Sequence, residues 1–290
     1  MQPLIAQLLA QGPIVTDGAW GTQLQARGLG LGEFPDLWNL THADRVAELA
    51  RAYVQAGSQI ILTNTFGANR VRLAEHAPAA NVAEINQRGV EISRAAAAGR
   101  ARVFASIGPT GKLLMTGEVT DAEVRAAFAA QAQALAQAGA DALVIETMSD
   151  LAEALLAVEA ARATGLPVVA CMVYDSGKDK DRTMMGTTPE QAAQALAAAG
   201  ADVVGANCGQ GIGGFAPIAR RLRAATDRPI WLKPNAGLPT VVEGRVQYHT
   251  TPAEFAAQVP ELLQLGAAFV GGCCGTGPEF VAAIKRALPR

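Results

Sequence analysis

The chain has 290 residues, 50% of them apolar, with 24 basic and 26 acidic side chains and a net charge of −2. That is enough apolar material for a sizeable core, and there is no basic excess to attract phosphate backbones or anionic lipid, so neither nucleic-acid nor membrane partners are expected. No apolar run reaches the ~20 residues that span a bilayer, and Met1 to Gly12 lacks the basic region and cleavage pattern of a signal peptide, so the expected compartment is the reducing cytoplasm.

Short Val-, Ile- and Leu-rich runs recur along the chain, each followed by a longer Ala-rich segment with helical spacing. The predicted strands are Ile14 to Asp17, Gln59 to Asn64, Val103 to Ile107, Ala142 to Glu146, Val168 to Val173, Val203 to Asn207, Ile230 to Lys233 and Phe269 to Gly271. The predicted helices are Asp44 to Ala56, Ala83 to Ala98, Asp121 to Ala138, Leu151 to Ala163, Pro189 to Ala199, Phe215 to Ala225, Pro252 to Leu265 and Pro278 to Leu288. Several open on proline or an acidic residue and close at glycine, as at Ala56-Gly57 and Ala199-Gly200. Eight such units predict an α/β chain folded as a single (β/α)8 TIM barrel over residues 1–290, with its site at the C-terminal ends of the strands. An open doubly wound sheet is the alternative.

Polar residues fall at that end of nearly every strand. Asp17, Asn64 and Thr65, Ser106, Glu146, Asn207 and Cys208, Asn235, and Cys273 with Cys274 close or follow seven of the eight. One mouth could therefore gather them. Adjacent cysteines close a disulfide with each other only under strain, so Cys273 and Cys274 read better as shared metal ligands, with Cys208 as the third. Soft thiolates select zinc, and three protein ligands leave a fourth position for water or substrate, which is a catalytic arrangement. Neighbouring glycines let the backbone fold closely there. Core filling by small cysteines is the plainer alternative, and it is the preferred reading for Cys171, which lies between apolar neighbours in its strand.

Other motifs carry less. Gly209-Gln210-Gly211-Ile212-Gly213-Gly214 matches a dinucleotide fingerprint, but the next strand lacks the acidic end that such a site needs, so it is read as a loop into a helix. Gly108 to Lys112 lacks the phosphate-loop spacing, and His42, His76 and His249 are read as surface residues. Lys178 to Arg182 reads as a solvated loop.

Taken together, Asp17-Gly18-Ala19-Trp20-Gly21-Thr22, Thr63-Asn64-Thr65-Phe66-Gly67, Gly108-Pro109-Thr110-Gly111, Glu146-Thr147, Asn207-Cys208, Pro234-Asn235-Ala236-Gly237 and Gly271-Gly272-Cys273-Cys274-Gly275 resemble the zinc-dependent homocysteine S-methyltransferases. That family includes the homocysteine module of cobalamin-dependent methionine synthase, and the match runs nearly end to end. The resemblance implies that Cys208, Cys273 and Cys274 hold Zn2+ and that Asp17 and Glu146 receive the homocysteine ammonium. It further implies that backbone around Gly18 and Thr65 meets the carboxylate, and that Asn235 lies beside the metal without substrate. The chemistry is coherent. A free thiol of pKa ~8.5 is only a few per cent ionised at neutral pH, whereas zinc deprotonates it outright. Three cysteine thiolates already make the ion formally negative, so a fourth thiolate stays electron-rich enough to attack a methyl group.

The donor is less legible. A methylated corrinoid, betaine and S-methylmethionine all serve the family, and aromatic faces recognise the latter two as onium ions. Trp20 and Trp38 are candidate donor-binding residues, with core or lid packing as the alternative. Thr147 and Gly67 depart from the betaine pattern. With no folate, corrinoid or activation module in these residues, methylcobalamin on a separate corrinoid protein or a small onium donor is expected. A non-catalytic zinc and homocysteine sensor, or a methyltransferase acting on another thiol or selenol, are the alternative functions.

Overall fold

The computed structural model describes residues 2–30, 32–242 and 245–289. Its strands are β1 Ile14–Val15, β2 Ile60–Ile61, β3 Arg102–Ile107, β4 Ala142–Met148, β5 Val168–Met172, β6 Val203–Gly211, β7 Ile230–Asn235, β8 Thr240–Val242, β9 Arg245–Gln247 and β10 Ala267–Val270. Eight of these form one parallel sheet in the order β1-β10-β7-β6-β5-β4-β3-β2, while β8 and β9 make a separate antiparallel hairpin. The chain is an α/β protein with a (β/α)8 barrel. The eight predicted strands and eight predicted helices are all present, with ends moved by up to four residues.

The seam between β1 and β2 explains how so short a pair closes the ring. Gln59 N donates to Val15 O at 2.8 Å, and side chains extend the ladder: Gln59 Oε1 accepts from Val15 N at 3.1 Å and Asp17 Oδ2 from Leu62 N at 2.7 Å. A buried amide must find an acceptor, and here two side chains supply what a longer strand would.

Two apolar layers divide the interior. Inside the strands, Phe104, Trp231 and Phe269 stack in series, with ring centroids 6.1 and 5.3 Å apart. Cys171 packs with them, as its apolar neighbours predicted. Helix Pro3–Leu9, which strand periodicity does not reveal, inserts Ile5 and Leu8 into the same layer. It closes the floor. Outside the strands the alanine-rich helices pack through a second layer that includes Val46, Phe128, Leu196 and Ile284. Capping boxes at Thr120, Thr188 and Thr251 fix three helix starts.

The glycine-rich run after Cys208 differs from the loop expected. Strand β6 continues through it, and Gly211 registers with Asn235 of β7. The rest of the fingerprint forms a 3-10 turn, Ile212–Gly214. The pairing is interrupted between Asn207 and Gly211, where Cys208 and Gly209 turn through the left-handed region.

Candidate metal and substrate site

Four backbone bonds bring the cysteines to the barrel mouth. Past β10 the chain keeps pairing: Gly271 N donates to Leu232 O, Gly272 N to Asp17 O, Cys273 N to Pro234 O at 2.7 Å, and Ala236 N to Cys274 O at 2.9 Å. A Cβ at Gly271 would strike Thr16, and one at Gly272 would strike Thr276, so glycine is required for this crossing. Cys273 and Cys274 thereby face Cys208 on β6, across the end of β7.

The three sulfurs lie within 4.8 Å of one another, and Cys208 Sγ is 3.9 Å from Cys274 Sγ. An ion with tetrahedral bonds of ~2.3 Å would hold its sulfurs ~3.8 Å apart, so the observed spacing suits one. The side-chain amide of Asn235 lies by Cys208 and helps to lower its pKa, and its buried Oδ1 has no partner. An acceptor oxygen without a donor beside three thiols is what a cation would satisfy. Hydrogen bonds from Cys273 and Cys274 pull the Cys208 thiol well below its usual range, while the same bonds and burial push Cys273 up. The cluster can bind a metal.

Cys208 is one of two site residues in the left-handed region, with φ 63°; the other is Thr147, with φ 61°. For residues other than glycine each costs on the order of 1–3 kcal/mol. Asn207 holds both turns. Its Oδ1 accepts from Thr147 N at 2.7 Å, and its Nδ2 donates to Thr147 Oγ1 at 2.7 Å, with Glu146 Oε2 at 3.4 Å and Cys273 Sγ at 3.8 Å. Glu146 also takes the Ser106 hydroxyl at 2.5 Å. Burial pushes its carboxyl above the usual range, against the opposing charge of Lys233.

Beneath Glu146 lies a buried ion pair. Asp17 is wholly buried and Lys233 is 2% exposed, with Lys233 Nζ 2.5 Å from Asp17 Oδ1. Trp20 Nε1 donates to Asp17 Oδ2 at 2.8 Å. Burial alone would lower the Lys233 ammonium, but Asp17 and Glu146 more than offset it and hold it raised.

A cavity of about 540 Å³ opens above these groups, lined by Gly18, Trp20, Glu146 and all three cysteines. Asp17, Thr65 and Asn235 stand one layer behind its wall. Trp38 is not on it: its ring is buried in the outer apolar layer, and its Nε1 donates to Glu33.

Residues 14–288 match the homocysteine S-methyltransferase family. The chain belongs to that family. Methionine synthases from Mycobacterium leprae and Mycobacterium tuberculosis are 30% and 31% identical to it over 99% and 98% of its length. The chain spans about a quarter of the length of these curated relatives. Among solved structures, the metallated form of the Escherichia coli homocysteine methyltransferase MmuM covers 99% of this chain and 100% of its own, with a TM-score of 0.81 at 24% identity. Its oxidised form gives 0.80 at 25%.

In this homocysteine S-methyltransferase family member, sequence reasoning missed three contributors. Lys233 appeared only as a strand end, although a charged residue inside a barrel strand already demands a buried partner. Asn207 entered only as part of a motif. Tyr248 follows the hairpin and lies by Cys274; burial and then the Cys274 charge raise its pKa. No sequence signal marked it. The three histidines are exposed as expected, and His76 reaches the cavity rim.

Proposed function

We propose that the chain transfers a methyl group to the sulfur of homocysteine, forming methionine, with Zn2+ held by Cys208, Cys273 and Cys274. The observation that carries this is the convergence of three sulfurs on one wall of a cavity that also presents Glu146. The metallated form of MmuM, a structural neighbour, supports a metal here. When bound, zinc supplies the Lewis acidity that keeps an acceptor thiol ionised at neutral pH.

The chain's own residues orient the acceptor. Glu146, held by Ser106 and Asn207, takes the ammonium at the cavity wall. Asp17 contributes its charge from one layer deeper, because Lys233, Trp20 and the Leu62 amide occupy its oxygens. Backbone around Gly18 and Thr65 receives the acceptor carboxylate, and the Asn235 amide stands at Cys208. The donor is a small onium compound such as S-methylmethionine or betaine, or methylcobalamin on a separate corrinoid protein. Trp20 supplies an aromatic face to the cavity, whereas Trp38 acts through Glu33. The chain acts as one barrel over residues 1–290, in the cytoplasm.

Metal analysis of the purified chain is expected to return close to one zinc per molecule. Alanine at Cys208, Cys273 or Cys274 should remove both zinc and methionine formation while circular dichroism shows an intact barrel. Full activity in those variants would overturn the metal role. Calorimetric binding of homocysteine, with no methionine formed from any donor in a panel, would replace catalysis with sensing.

A further inference from the structure

The cavity lining holds a cationic side chain that the acceptor does not use. Strands β2 and β6 are four apart in a ring of eight, so residues following β2 stand across the mouth from Cys208. Arg72, from the helix Arg70–His76, lines the cavity there. Its guanidinium carbon lies 5.8 Å from the centroid of the Phe66 ring, and its Nε is buried without a hydrogen-bond partner.

The surrounding carboxyls are engaged elsewhere. Asp36 accepts from Gly67 N at 2.9 Å, Glu75 pairs with Lys112 at 2.5 Å, and Glu153 takes Thr110 N and Oγ1 at 2.7 and 2.6 Å. Burial pushes Asp36 up to about 7, which leaves it a weak counter-charge at neutral pH. Among the described residues, Arg72 belongs to no ion pair. Among the described residues the guanidinium has no carboxylate partner, and a ligand carboxylate meeting the part of it that lines the cavity would supply charge-assisted hydrogen bonds.

We infer that Arg72 receives the carboxylate of the methyl donor and thereby selects a small, carboxylate-bearing onium compound. The inference rests on the methyl transfer proposed above. The acceptor places its sulfur at the cysteines, its ammonium at Glu146 and its carboxylate at backbone around Gly18 and Thr65, so Arg72 falls to the other reactant. With the donor carboxylate at Arg72, its onium centre lies over the aromatic lining of Trp20 and Phe66. With a sulfonium donor, the acceptor sulfur's electron pair forms the new C–S bond. The breaking C–S bond leaves its pair on the donor sulfur, which departs as a neutral thioether.

Calorimetric titration of the zinc-loaded chain with S-methylmethionine, trimethylsulfonium and homocysteine tests this in the wild type, Arg72→Gln and Arg72→Lys. Arg72→Gln is expected to weaken S-methylmethionine binding about 10- to 100-fold, the scale of a lost charge-assisted bond. Homocysteine and the carboxylate-free trimethylsulfonium should bind as before, and Arg72→Lys should recover part of the loss. Unchanged S-methylmethionine binding in Arg72→Gln, no binding of it to the wild type, or a loss falling on homocysteine would each overturn the inference. Methionine formation is read separately. Arg72-dependent donor binding without methionine would sustain this subsite and overturn methyl transfer. Methionine formed with an unimpaired KM for S-methylmethionine in Arg72→Gln would do the reverse.

Discussion

Lys233 carries an ammonium into the barrel interior, and Asp17 is the group that makes this tolerable. Removing one member of a buried pair leaves the other charge without compensation, at about 3–5 kcal/mol. Lys233→Met is therefore expected to unfold at markedly lower urea, and Lys233→Met with Asp17→Asn to regain most of the loss. At Glu146 the effect should be on binding instead. Glu146→Gln keeps the shape and the Ser106 contact but loses the charge, so homocysteine affinity should fall by about 1.5–3 kcal/mol, measured by calorimetry. Asp36 gives a test in pH. Its folded carboxyl is raised to about 7 while an unfolded one sits near ~3.9. Between those values the folded state binds more protons, so the contribution of Asp36 to stability is largest at low pH and declines as pH rises to about 7. Thermal melts of Asp36→Asn should lack that decline.

At the scale of elements, the strands differ in what they contribute. Strand β6 delivers Asn207 and Cys208 only because Gly205 lies flush against Trp231 of β7, where a Cβ would overlap the Trp231 carbonyl. The helix Pro3–Leu9 serves the opposite end. Ile5 is wholly buried in the inner layer, so Ile5→Ala should cost about 2–5 kcal/mol in denaturant unfolding. Homocysteine affinity should not change, because the helix touches the floor and not the mouth. A parallel loss of affinity would show that floor and mouth are coupled through the aromatic stack of Phe104, Trp231 and Phe269.

Across the whole molecule, a metal at Cys208, Cys273 and Cys274 would join the strand ends on both sides of β7. Binding to the folded state alone stabilises it by mass action, by about 2.7 kcal/mol at a hundredfold excess over Kd. Stripping with a chelator should lower the melting temperature in scanning calorimetry, and restoring zinc should recover it. Cys208→Ala should melt alike with and without zinc. If chelation left the wild-type melt unmoved, the cysteines would not be linking strands.

The sequence by itself determined the barrel and singled out the three cysteines that meet at its mouth. Strand and helix periodicities are local, and eight repeats of them leave few architectures. Cysteines between glycines, and polar residues at strand ends, are likewise visible in one dimension. The family resemblance covered the same motifs. Tertiary structure alone decided which groups meet. Lys233 and Asp17 are 216 positions apart and pair only once the ring has closed. Trp20 and Trp38 looked alike as candidates, yet one lines the cavity and the other is packed outside it. Nothing in the sequence marks Arg72, and only the fold sets it on the cavity among carboxyls engaged elsewhere. Such pairings depend on how distant segments exclude water and satisfy one another's charges, and local sequence carries no record of that.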